Sequence, residues 1–466
     1  MARWASVAYA LLVAAVMGAF LLDLPIQVSD SFGNMQKLSM PWPELMAQEF
    51  TQTAFLRPFL WAELKLVYDL SGGDYTTWYR WTHVIQVLVL VLLYLALVRP
   101  RTWSDAAMMP LGLGVLIGLH TFFGTVREAF PINTFLTLVL CCFAAAALCL
   151  ARYRWWNDVL AVLLFVVAAL TVETGLLVGV IVVAAALVGA TGVSRAGLAA
   201  ILALVAGYFY LRFAVLDVGA PMLAERSSGY GFAILDPSQL VERFSANPLP
   251  FYLYNIVASA LSVLLTEPTG GVYSTTRAVL RGEPVPLMIV NTIASLAVVA
   301  LLTMFVWHRR RAWRARRFDH DDRLVLLCAA VLAANAVISY PYTKDVVMSP
   351  AGAFLAVAVF AAGRRMIAVL PSRVPVAATA MLAVAAMLTG SAWALRVLAG
   401  YGELRRATVV ERIDWVYIDA NIAKGRIEAN GPNVDTLVRQ LRHDALIARP
   451  APPPLTLPFR ELIENY

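Results

Sequence analysis

Between Leu24 and Leu70 the chain reads LPIQVSDSFGNMQKLSMPWPELMAQEFTQTAFLRPFLWAELKLVYDL. The stretch is polar, and it separates two apolar runs at residues 4–24 and 77–98. A helix of about 20 apolar residues spans the hydrocarbon core, so both runs read as crossings and the stretch between them as an outer loop. Asp30 stands near its start and Arg57-Pro58 near its end. A carboxylate and a guanidinium held at a membrane surface suit chemistry on a charged lipid head group. Residues 41–49 and 55–70 mix aromatics, carboxylates and apolar side chains, and read as amphipathic helices lying in the interface.

Composition agrees with this reading. Hydrophobic residues make up 60% of the chain and charged residues 14%, with a mean hydropathy of +0.71. Soluble domains carry about a quarter charged residues. The net charge of +7 sits beside the apolar runs, at Arg99 and Arg101, Arg152 and Arg154, residues 309–317, and Arg364 and Arg365. That placement marks cytoplasmic loops and contact with anionic lipid heads, and excludes nucleic acid as the partner. Cys141, Cys142, Cys149 and Cys328 all fall inside apolar runs and read as small packing residues. The first run has Arg3 before it and no small-x-small cleavage site ahead of Pro25, as in a retained signal anchor.

The fold class is an all-α polytopic membrane protein with about 11 transmembrane helices, interfacial helices in the first outer loop, one re-entrant segment and a small C-terminal tail. The crossings are expected at 4–24, 77–98, 106–123, 133–150, 196–214, 287–307, 324–338, 346–362 and 376–398. Residues 159–190 are too long for one helix and split into two crossings that meet at Thr171 to Gly175. Were 251–265 to cross fully, the basic run 308–317 would end outside, so it reads as re-entrant or interfacial. The chain then divides into a transmembrane module at 1–215 with its first outer loop at 25–76, an outer loop and re-entrant segment at 216–286, C-terminal crossings at 287–399, and an extracytoplasmic tail at 400–466. No long-period internal repeat is visible.

This topology puts Asp30, Arg57, His120, Arg127, Glu128, Glu173, Lys344 and Asp345 on one side of the membrane, at the outer ends of crossings. Ionisable groups at bilayer depth are costly and usually pair or line a cavity. Each also has a plain reading. Asp30 can stabilise a turn with Ser29 and Ser31, and Arg57-Pro58 can simply begin a helix. His120 can bond a neighbouring helix, and Lys344 can pair with Asp345. Glu173 needs a partner or water, because it lies between two short crossings.

The order of these residues resembles the GT-C superfamily of integral membrane glycosyltransferases, the group with protein O-mannosyltransferases and the lipid A aminoarabinose transferase. Those enzymes have an acidic residue soon after helix one, as Asp30 is here. An Arg-Pro-apolar motif follows, matched by Arg57-Pro58-Phe59, and opens a Leu-rich amphipathic helix ending near a Tyr and a Gly, matched by Tyr68 and Gly72. His120 and Glu128 match a His and Glu at the end of the third helix, and Glu173 matches the acid of a Lys-Glu pair after the fifth. Val172 stands where that Lys is common.

The resemblance implies transfer of a sugar from a polyprenyl-phosphate donor to an extracytoplasmic acceptor hydroxyl on a glycan, lipid or protein. Such transfer needs a base, for which Asp30 is suited, and cations to hold the leaving phosphate, expected from Arg57 with His120 or Lys344. Glu128 and Glu173 then position substrate or hold those cations. Single displacement with inversion is expected, with no cofactor and no metal, in a bacterial inner membrane with the site on the periplasmic face. The alternative is a transporter or flippase of a lipid-linked sugar, which would show repeat symmetry and charges near the midplane.

Overall fold

A computed structural model describes residues 1–24, 37–51, 56–127, 134–217, 236–244, 247–265, 271–283, 286–369, 376–425 and 434–448. The regular elements among these residues are helices. In order they are α1 (Ala2–Asp23), α2 (Trp42–Thr51), α3 (Pro58–Leu70), α4 (Tyr75–Val98), α5 (Trp103–Gly118), α6 (His120–Arg127), α7 (Thr134–Leu150) and α8 (Trp155–Ala169). A 3-10 turn at Glu173–Leu176 leads to α9 (Leu177–Leu187), and α10 (Arg195–Tyr210) runs into a π-turn at Leu211–Val215. Then come α11 (Pro237–Phe244), α12 (Leu249–Leu264), α13 (Gly271–Arg281), α14 (Pro286–Arg314) and α15 (His320–Ile338). A 3-10 turn at Asp345–Met348 precedes α16 (Ser349–Val369), followed by α17 (Val376–Ala423) and α18 (Val434–His443) with a π-turn at Asp444–Ala448.

Six of the described helices are long and apolar enough to cross a membrane, at 2–22, 75–98, 195–215, 286–314, 346–369 and 384–423. The expectation was about 11. Five further apolar helices, α5, α7, α8, α9 with its leading turn, and α12, have between 10 and 17 residues. At 1.5 Å per residue they reach at most about 26 Å, short of a ~30 Å hydrocarbon core.

The bundle is built around α16. Its central window is 94% buried, and it packs against α4, α5, α7, α14 and α15. Its sequence, SPAGAFLAVAVFAAG, supplies the small side chains that let helix backbones approach in a medium where apolar burial alone drives little. At Gly352 a Cβ would strike the Thr121 side chain, and at Gly363 it would strike Met108. Phe354 and Phe360 fill the larger gaps, edge-on to Phe143 and Tyr94. The four cysteines are buried free thiols in this packing.

Ion pairs lock the end of the bundle where α14 meets α15. Asp322 is fully buried and accepts from Arg309 Nε at 2.8 Å and Nη2 at 2.6 Å, from Trp313 Nε1 at 2.8 Å and from the Asp319 amide at 2.8 Å. The same carboxylate closes a capping box with Asp319 that starts α15. Beside it Arg364 of α16 pairs with Asp321 and donates to the Val98 carbonyl.

A second, separate core lies at the opposite end of α4. Leu38, Leu45, Leu60, Trp61, Leu64, Tyr75 and Tyr79 from the first loop and the start of α4 pack with Trp415 of α17 and with Leu437 and Leu441 of α18. The tail boundary expected near Gly400 therefore falls inside a helix. The 48 residues of α17 run without interruption from the apolar bundle into this second core. Arg80 of α4 forms a bidentate pair with Asp444 and also donates to the Leu24 carbonyl, fastening the C-terminal turn to the first loop.

Candidate functional site

Arg57 is the N-cap of α3, and Pro58 opens the helix at a position where its missing N–H costs nothing. The next amide, Phe59 N–H, donates to the Leu170 carbonyl at 3.0 Å, just past the end of α8. This single bond sets α3 on the α8–α9 link. The link itself is tight: Gly175 N–H returns to the Val172 carbonyl at 2.8 Å, and a Cβ at Gly175 would run into the Ala168 carbonyl. Glu173 is thereby presented to Arg57, whose Nη2 donates to Oε2 at 2.6 Å.

A second guanidinium completes the group. Arg212 is buried in the π-turn that ends α10, and donates Nη1 to Glu173 Oε1 at 3.4 Å and to the Tyr208 hydroxyl at 3.0 Å. The extra residue of a π-turn re-aims a side chain, and such turns recur at functional sites. Among the described residues, two cations share this one carboxylate, an excess of one positive charge. Burial alone would push the Glu173 carboxyl up. The Arg57 charge and hydrogen bond, and then the Arg212 charge, hold it below the ordinary carboxylate range. The Arg57 and Glu173 side chains keep 22% and 26% of their surface open, so the cluster is reachable from one side.

Farther along α3, Glu63 faces inward and accepts from Gln86 Nε2 of α4 at 3.0 Å and from Thr137 Oγ1 of α7 at 3.0 Å. Burial raises its carboxyl, against the pull of these two bonds. Lys65 and Trp42 both donate to Asp69, at 2.6 and 2.7 Å, which docks α2 on the outer side of α3. Helix α3 is thus held on both faces, and Arg57 is held at its root.

The expected site residues fall into two groups. Arg57 and Glu173 meet. His120 and Lys344 belong to a neighbouring region, where α6 packs on the Asp345–Met348 turn. There Ser349 Oγ donates to the Thr121 carbonyl at 3.2 Å and bonds the Thr125 hydroxyl. His120 is buried, while Lys344 is exposed with its Nζ 5.8 Å from the Tyr342 ring centre. Asp30 and Glu128 lie outside the described residues. Among the described residues no group of three or more His, Cys, Asp or Glu is placed to hold a metal ion.

Two functional candidates escaped the sequence reading. Arg212 stood at the end of an apolar run, where a single arginine looks like an interfacial anchor. Arg396 lies inside α17, 2% exposed, with Nε donating to the Gly118 carbonyl at 3.3 Å, Nη1 to Ser295 Oγ at 2.7 Å, and its guanidinium 4.1 Å from the Trp393 ring centre. An arginine within an apolar run, near its end in both cases, was the available signal. The chain matches no protein-family model, no curated protein and no solved structure.

Proposed function

We propose that this chain is a membrane glycosyltransferase that moves a sugar from a polyprenyl-phosphate donor to an acceptor hydroxyl on a glycan, lipid or protein. The observation that carries the reading is the Arg57–Glu173–Arg212 cluster at the root of an interfacial helix. A polyprenyl phosphate keeps its chain in the bilayer and its phosphate at the interface. Two guanidiniums with one net positive charge at that level suit a phosphate dianion that gains charge as it leaves. Glu173 pre-orients the guanidiniums without cancelling them. Asp30, in the loop that leads into α3, is the proposed base.

In this reading the chain crosses the membrane about eleven times. The shorter apolar helices complete crossings together with their flanking turns, and α12 is re-entrant. The first loop and the outer layer then lie on the periplasmic face of a bacterial inner membrane.

The deciding experiment presents a polyprenyl-phosphate sugar and an acceptor to the purified protein. Transfer with release of free polyprenyl phosphate is expected, and Asp30→Asn should slow it by about 10²–10⁴-fold, the usual loss for a positioned general base. Movement of the intact lipid-linked sugar across a vesicle membrane, with no polyprenyl phosphate released, would replace the enzyme by a flippase.

A further inference from the structure

A groove opens between α7, α9 and α10, at the far end of the α8–α9 hairpin from Glu173. Its volume is about 410 Å³. Val182, Ala185 and Ala186 of α9 and Leu198 of α10 form its walls, and Tyr153 and Arg195 stand at its mouth. The alanines leave space that no other side chain enters.

The mouth is preformed. Gly192 N–H donates to the Cys149 carbonyl at 3.0 Å, and Asn157 Nδ2 donates to the Gly192 carbonyl at 2.8 Å. A Cβ at Gly192 would strike the Leu148 carbonyl, so the α9–α10 turn is pressed onto the end of α7. Arg323 of α15 donates to the Gly189 carbonyl at 3.0 Å and braces the same turn.

Charge and depth identify the occupant. Arg195 lines the groove and Arg152 and Arg154 flank Tyr153, which also lines it; all three arginines are exposed. The Asp158 carboxylate beside them is taken up by the Ser194 amide at 2.8 Å, the Ser194 hydroxyl at 2.7 Å and the Tyr153 hydroxyl at 3.3 Å. Trp155 and Trp156 are exposed beside them, with Arg154 5.0 Å from the Trp156 ring centre. Exposed tryptophans with arginines at the end of apolar helices mark the head-group level of a bilayer, and basic pockets between such helices bind acidic head groups.

We infer that this groove binds an anionic glycerophospholipid, with an acyl chain along α9 and α10 and its phosphate at Arg195. The site is separate from the Arg57 cluster and does not depend on the glycosyltransferase reading. A bound lipid would steady the hairpin whose other end presents Glu173.

The test uses the full chain in a neutral detergent, titrated separately with phosphatidylglycerol, phosphatidylcholine and inorganic phosphate. Native mass spectrometry reads retained lipid, and thermal unfolding reads stabilisation. Phosphatidylglycerol should be retained and should raise the unfolding temperature, and the other two should not. Arg195→Ala should weaken retention about fivefold, the usual loss of one arginine facing an acidic head group. Arg195→Lys should recover most of it, and Ala186→Phe should abolish retention by filling the groove while the protein still folds. Equal stabilisation by phosphatidylcholine, equal stabilisation by inorganic phosphate, or unchanged retention in both Arg195→Ala and Ala186→Phe would overturn the inference.

Discussion

Asp322 and Glu173 are both carboxylates held by arginine, and they are held differently. Asp322 is fully buried and takes four donors from α14 and α15. Glu173 keeps 26% of its side chain open and bridges two arginines from separate elements. The first arrangement is saturated, and nothing is left over to meet a ligand. The second holds an excess of positive charge near an open side. Saturation marks a clamp, and an excess of one charge among the described residues marks a candidate site.

The largest expected effect breaks the clamp. Asp322→Ala takes away the acceptor of Trp313, leaves the part-buried Arg309 with Asp319 alone, and should cost about 3 kcal/mol, the low end for removal of one partner of a buried pair. Thermal unfolding in detergent measures it, and activity per folded molecule should be unchanged.

Arg57→Ala should do the reverse, lowering transfer by about 10²–10³-fold, the loss seen when one donor to a developing negative charge is removed. The change in unfolding temperature should be small beside that of Asp322→Ala. Arg57→Lys keeps the charge but loses the planar fork, and should fall between wild type and Arg57→Ala. Equal activity in all three would remove Arg57 from the site.

Between these extremes lies the Arg80–Asp444 pair. Asp444→Asn weakens a charged bidentate contact worth about 1.5–3 kcal/mol per hydrogen bond. Its effect should be local. Amides of residues 434–448 should exchange faster with deuterium while α15 and α16 stay protected.

The smallest effect is a pH dependence at Glu173. Its folded carboxyl lies below the ordinary value of 4.5. Its contribution to stability is therefore present above that value and is lost as pH falls through the lowered one. Wild type should be more stable than Glu173→Gln at neutral pH, and the gap in unfolding temperature should close on acidification. A gap that stays constant would mean that the carboxylate charge contributes nothing.

Much of the fold is legible one segment at a time. Hydropathy placed α1, α4, α10 and α14, because about 20 apolar residues satisfy their own backbone hydrogen bonds as a helix whatever surrounds them. Arg57-Pro58 marked the start of α3 through proline chemistry alone. Glu173 between two short helices signalled a need for a partner, since a carboxylate at that depth cannot stay unpaired.

The partners themselves were settled by the tertiary structure. Arg57 and Glu173 are separated by 116 positions, and Arg80 and Asp444 by 364. No local rule links residues so far apart. The meeting depends on the Phe59 amide reaching Leu170, on the tight turn at Gly175, and on a π-turn that swings Arg212 inward. The passage of α17 through Gly400 into a second core was likewise invisible, because a charged stretch after the last apolar run reads as a soluble tail until Trp415 has something to pack against. Sequence determines which segments must be helical and which charges must find company. Packing between distant segments decides which company they find, because helix propensity and hydropathy are local and side-chain contacts are not.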